Sequence, residues 1–152
     1  MFQGQITREV PASPDAVCAK ITDLAGLPSW NAAMTAIVEQ PERLEPGAEW
    51  VVEFHIFGRT WRSRACCEVI DSGARRFTYR TLTDDGNPSH SQWRWEVDET
   101  DRGAEVRVHF ELYPVTFWRR FLLGRVRARQ LARRELPASL AALSRVSVGA
   151  TH

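Results

Sequence analysis

The stretch REVPASPDAVCAKITDLAGLPSWNAAM, residues 8–34, decides how the rest of the chain is read. It begins on the end of a short alternating strand, FQGQITREV (2–10), and turns at once into helix chemistry. Ser13 is a good N-cap, and Pro14 takes the first helical position, where a missing N–H costs little. Asp15 then meets the positive end of the helix dipole. Ala16, Val17, Ile21 and Leu24 recur at helical spacing, which predicts a short amphipathic helix over 14–23. Gly26 and Pro28 break it, and a second short helical turn is expected around 27–33.

Downstream, from 35 to 113, the period changes to two. AEWVVEFHIF (48–57) places Trp50, Val52, Phe54 and Ile56 on one face. TWRSRACCEVI (60–70) places Trp61, Ser63, Ala65, Cys67 and Val69 on one face, against Arg62, Arg64, Cys66 and Glu68. Phe77 and Tyr79 share a phase, as do Trp93, Trp95 and Val97, and Val106, Val108, Phe110 and Leu112. The breaks EPG (45–47), FGR (57–59), DSG (71–73), DDGNP (84–88) and TDRG (100–103) carry turn residues. The expectation is a meander of antiparallel strands with one apolar and one wet face. After Pro114 the helical period returns through Phe117, Phe121, Gly124, Ala128, Ala132, Leu136, Leu140 and Leu143, with Pro137 expected to kink the helix or start a new piece. The fold class is therefore α+β: a curved antiparallel sheet of about seven strands around a long C-terminal helix, with two short helices after the first strand. One domain is expected over 1–147, with 148–152 a frayed end.

Composition fits this picture. Apolar residues at 43% and charged residues at 26% are ordinary for a soluble globular chain, and no apolar run nears the roughly 20 residues of a membrane helix. The start MFQGQITREV lacks a signal-peptide pattern, and three cysteines do not make a disulfide framework, so a cytoplasmic location is expected. The net charge of +1 hides an asymmetry: residues 1–114 hold 12 basic and 18 acidic residues, whereas 115–152 hold eight arginines and one acid, Glu135.

The element order, and the run P-A-S-P-x-x-V, short helix, T-D-L, L-P-x-W-N within residues 11–31, resemble the helix-grip fold of the START/Bet v1-like (SRPBCC) superfamily, which includes polyketide cyclases and lipid-transfer proteins. The resemblance covers nearly the whole chain and implies a hydrophobic cavity between sheet and helix. The residues agree with it. Trp50, Phe54, Trp61, Phe77, Tyr79, Trp93, Trp95 and Phe110 take inward phases, and Gly124 and Ala128 put small side chains on the helix stripe where a filled core wants large ones. With Trp30, Ser63, Cys67 and Phe121, most of these make the candidate ligand-binding set. A plain aromatic core is the competing reading.

Other chemistry is thin. The four histidines form no HxH or HxxxH pair and none stands at ligand spacing from a cysteine, so no metal or cofactor is expected. No GxSxG elbow or glycine-rich phosphate loop occurs. Adjacent Cys66 and Cys67 fall on opposite strand faces, which suits neither a bridge nor a metal. The aromatase/cyclase branch of the superfamily has an inward arginine that aligns with Cys67, a tryptophan that aligns with Leu27 and a tyrosine that aligns with Met34. Its polar machinery is thus missing, leaving Tyr79, Ser63, Trp30, Asn31 and His90 as polar-tipped substitutes, with Tyr79 the catalytic candidate if chemistry occurs. The first expectation is therefore binding of a small hydrophobic or aromatic molecule of polyketide, lipid or isoprenoid type. The second is a cofactor-independent polyketide cyclase/dehydratase. The third is an interaction module whose Arg119, Arg120, Arg125, Arg127, Arg129, Arg133 and Arg134 meet an anionic partner. No nucleic acid is expected, and a homodimer stays an open option.

Overall fold

The computed structural model describes residues 2–31, 34–56, 58–83, 90–113, 129 and 131–151. Within these, the side chains of 56, 59, 61, 83, 131 and 148–151 lie outside the description. Strand β1 (Phe2–Val10) leads into helix α1 (Pro14–Thr22) and a 3₁₀ helix over Leu24–Ser29. Six strands follow: β2 (Met34–Glu39), β3 (Glu49–Ile56), β4 (Arg59–Asp71), β5 (Arg76–Thr83), β6 (His90–Thr100) and β7 (Gly103–Tyr113). A π-helical turn, Leu131–Glu135, then enters the C-terminal helix α2 (Leu136–Thr151). The strands form one antiparallel sheet in the order β1-β7-β6-β5-β4-β3-β2, so the chain closes the sheet by bringing its first strand beside its last.

Local chemistry accounts for the joints. The Ser13 hydroxyl accepts the Ala16 N–H at 3.2 Å, as an N-cap should, and Pro14 follows it. The 3₁₀ helix starts at Leu24, three residues earlier than the spacing of Gly26 and Pro28 suggests, because its i→i+3 bonds tolerate both: Gly26 N–H reaches Asp23 O at 3.2 Å and Trp30 N–H reaches Leu27 O at 3.2 Å. Gly103 has φ 140°, and a Cβ there would stand 2.5 Å from Val10 O and 2.8 Å from Ala12 N, so only glycine lets the β6–β7 turn pass under the β1–α1 junction. Arg75 (φ 57°) in the β4–β5 turn pairs through Nε with Asp15 Oδ1, in the first turn of α1, at 3.0 Å.

Pro137 acts as expected. It has no N–H to continue an i→i−4 ladder, the turn before it widens to π geometry, and the regular helix begins at Leu136. Leu136, Leu140 and Leu143 are fully buried, and α2 packs on α1, where Val17 and Ile21 are buried, and on β1. One alternation fails. Cys67 is buried, yet Val69 is 48% exposed and Ile70 packs on the core instead. The cause is a β-bulge: Cys67 pairs with Tyr79 but Val69 with Thr78, so Glu68 is an extra residue that flips the phase. The expectation that Val69 continues the inward row is corrected accordingly.

Candidate functional site

The inward face can be written as rows across the sheet. One runs Gly4, Phe110, Trp93, Tyr79, Cys67. Beside it runs Phe2, Leu112, Ser91, Thr81, Ala65, Trp50, and on the other side Ile6, Val108, Trp95, Phe77, Ile70. The aromatic members touch. Tyr79 is the hub, with ring centroids 5.3 Å from Trp50, 5.0 Å from Phe77 and 6.4 Å from Trp93. Trp50 stacks on Phe77 at 5.9 Å, and Trp93 lies 5.5 Å from Phe110. Phe110 in turn lies over β1 where Gly4 has no side chain.

These aromatics differ in how far they are covered. Trp50, Phe77, Trp95 and Phe110 are buried, whereas Phe54, Tyr79 and Trp93 are only partly buried although they face inward. Of the other sequence-predicted site residues, Trp30, Ser63 and Cys67 are buried. Trp61 pairs through its backbone with Phe54, but its side chain, like all of Phe121, Gly124 and Ala128, falls outside the described residues. His90 stacks on Tyr113 at 4.7 Å, on the outer face, and is no part of this cluster. Tyr113 donates to Glu111 there, and that bond to a carboxylate raises its hydroxyl above the ordinary tyrosine value. Of the helix arginines, Arg129, Arg133 and Arg134 are exposed, and Arg119, Arg120, Arg125 and Arg127 are not among the described residues.

Polar tips inside the cluster are few, which makes their partners informative. Trp93 Nε1 donates to Ser91 Oγ at 2.9 Å, and Ser91 is also hydrogen-bonded to the Thr81 hydroxyl. Ser63 Oγ donates to Leu82 O at 3.2 Å. The Ser91–Thr81 pair was missed in the sequence, although Ser91 shares the phase of Trp93 and Trp95 and could have been read from it. Trp95 Nε1 donates to Tyr79 Oη at 3.3 Å. Burial pushes the Tyr79 hydroxyl up to about 12, against a smaller opposing effect of that bond, so at neutral pH it is a proton donor and no base. Burial likewise raises the Cys67 thiol, which sits opposite Tyr79 in register. Its thiolate, the nucleophilic form, is thereby disfavoured.

Trp30 is the outlier. It ends the 3₁₀ helix, is 3% exposed and meets Trp95 edge-on at 5.7 Å, with 84° between ring planes. Its Nε1 is buried with no hydrogen-bond partner among the described residues. Leaving such a donor unsatisfied costs about 1–3 kcal/mol.

The fold has clear relatives among solved structures. The Thermus thermophilus protein TTHA0849 superposes with a TM-score of 0.77 at 17% identity, covering 99% of this chain and 100% of that one. Protein CV1439 from Chromobacterium violaceum gives 0.73 at 18% identity, over 95% and 96%. The major latex-like protein 151 of Panax ginseng gives 0.73 at 10% identity, over 97% of each chain. At these identities the likeness is one of fold. No curated protein matches the chain in sequence. The family model for polyketide cyclase/dehydrase and lipid transport matches residues 1–148, and with that match over almost the whole length of this helix-grip chain, the protein belongs to that family.

Proposed function

We propose that the protein binds a small hydrophobic or aromatic molecule, of polyketide, lipid or isoprenoid type, in a cavity between the inward face of the sheet and the C-terminal helix. The observation that carries this is the uneven covering of the inward aromatics. Trp93, Tyr79 and Phe54 face into the fold yet keep open surface, while Trp95 and Phe77, one row away, are sealed. Tyr79 is deep enough for burial to raise its hydroxyl to about 12. A group so enclosed with surface still open suits the wall of a void better than a filled core. Membership of a cyclase and lipid-transport family supports the same reading. Apolar burial would supply most of the affinity, and polar tips the orientation.

The cyclase alternative would have to act through this same hub. Tyr79 can polarise a carbonyl by donating to it, and abstracting a proton is out of its range at neutral pH. That favours holding over turning over. The test is to titrate the purified protein with N-phenyl-1-naphthylamine, a probe that brightens in apolar surroundings, and to extract co-purified molecules for mass spectrometry. Saturable binding of one probe per chain, with quenching of tryptophan emission, is the expected outcome. No saturable binding and no extracted molecule would remove the reading.

A further inference from the structure

We propose that the exposed face of the C-terminal helix is a docking surface for an anionic lipid bilayer, with Arg129, Arg133, Arg134 and Arg145 as its phosphate contacts. The arginines of this fold fall into two groups. On strands β4 to β7 each described guanidinium, on Arg62, Arg64, Arg76, Arg80, Arg94 and Arg107, lies within 3.9 Å of a carboxylate. On the helix all four are exposed, and none pairs with a carboxylate among the described residues. The acid of that segment, Glu135, is buried. Arg134, Ala138 and Arg145 are exposed at steps of four and seven, one face of a helix, with Arg133 beside them and Arg129 a turn before. Along the axis the row spans roughly 24 Å. The opposite face buries Leu136, Leu140 and Leu143, so the cationic row and the wall of the proposed cavity are two sides of one helix.

The neighbours of the row say what it fits. Pro137, Ala138, Ala141 and Ser144, which reach the surface between the arginines, are all small. The guanidinium groups therefore stand highest and can meet a plane of phosphates together. No aromatic, amide or lysine side chain occurs among the described side chains of this segment, so nothing there stacks on bases or reads their edges. Charge favours the same orientation. Residues 115–152 carry a net +7 and residues 1–114 a net −6, so the field of the whole molecule turns this helix toward an anionic surface. An apolar cargo supplies the reason for a bilayer in particular, since such a molecule is held in membranes rather than in water. That choice of partner rests on the cavity reading above.

The probes are vesicles of phosphatidylcholine alone and of phosphatidylcholine mixed with phosphatidylglycerol, sedimented with the full chain. Binding to the anionic vesicles only is expected, lost as salt rises from about 0.1 to about 1 M and the Debye length shrinks from about 10 to about 3 Å. Replacing both Arg133→Gln and Arg134→Gln removes two charges at about five-fold each, so affinity should fall about 30-fold. Replacing both Arg80→Gln and Arg94→Gln removes the same charge from the sheet and should change it less than about two-fold, those sites lying outside the row. An equal loss in the two variants makes net charge the cause and overturns the helix as the dock. Equal binding to both kinds of vesicle overturns the anionic assignment. A duplex oligonucleotide that strips the protein from the vesicles at equal phosphate concentration makes the partner nucleic acid and overturns the bilayer. Binding of N-phenyl-1-naphthylamine with no vesicle binding overturns the dock alone, whereas vesicle binding without probe binding supports the dock and removes the cavity.

Discussion

Gly4→Ala distinguishes a hollow interior from a filled one with a single methyl group. A Cβ built at Gly4 lies 2.5 Å from Phe110 Cζ and 2.7 Å from Cε1, where ordinary carbon contacts lie at about 3.5–4.0 Å. The ring must therefore retreat by about 1 Å. Phe110 is 0% exposed, with β1 behind it and Trp93 beside it at 5.5 Å, so it can retreat only into the interior. In a close-packed core such a displacement costs about 1–3 kcal/mol. Where Phe110 carries its partly open neighbour Trp93 into free space it costs less, and the change from glycine to alanine in a strand returns about 0.5–1 kcal/mol. The expected net loss is under about 1 kcal/mol, a fall in Tm of at most about 2–4 °C for a chain of this size. Bound N-phenyl-1-naphthylamine should weaken at the same time, because the ring now stands in its space. Thermal unfolding by circular dichroism and the probe titration, run on the same samples, read both. A loss of about 3 kcal/mol with probe binding untouched would refute the reasoning, since it would mean a wedged ring with no space in front of it.

Two further outcomes follow from burial. Tyr79 carries a hydroxyl raised from the ordinary 10 to about 12, so the folded state holds its proton more tightly than the unfolded chain does. Its contribution to stability is fully present below pH 10 and is lost as pH rises to 12, at most about 2–3 kcal/mol; urea titrations across that window should show the loss, and Tyr79→Phe should flatten the slope, an unchanged slope counting against the buried hydroxyl. Leu143→Ala, at 0% exposure on the helix that packs on α1 and β1, should cost about 2–5 kcal/mol in the same titrations, and a cost below about 1 kcal/mol would mean that α2 is not seated where its leucines place it.

The architecture was legible because two signals in the sequence are redundant. Ser13-Pro14-Asp15 specifies a helix start whatever surrounds it, and alternation over five successive segments leaves a one-faced sheet as the only way to bury Trp50, Trp95 and Phe110 together. The bulge at Glu68 was not legible, for a physical reason. Val69 and Ile70 are both β-branched and apolar, so either can stand inward, and the choice is made by the pairing of β4 with β5, where one strand carries a residue more than the other. Composition is blind to that count.

The site divides along the same line. Inward aromatics follow from alternation, but a wall and a core need the same inward aromatics, so alternation alone could not separate a cavity from solid packing. The polar tips, by contrast, depend on the fold. Trp93 and Trp95 satisfy their indoles within the sheet, on the same strand at Ser91 or on the next at Tyr79. Trp30 arrives from the 3₁₀ helix, and its indole N–H has no partner among the described residues. Its position against Trp95 joins residues 65 apart in sequence, a meeting that no local pattern encodes. A chain that needed only packing at that point could have used phenylalanine without leaving a donor stranded. The unspent N–H became visible only once the fold had brought Trp30 against Trp95.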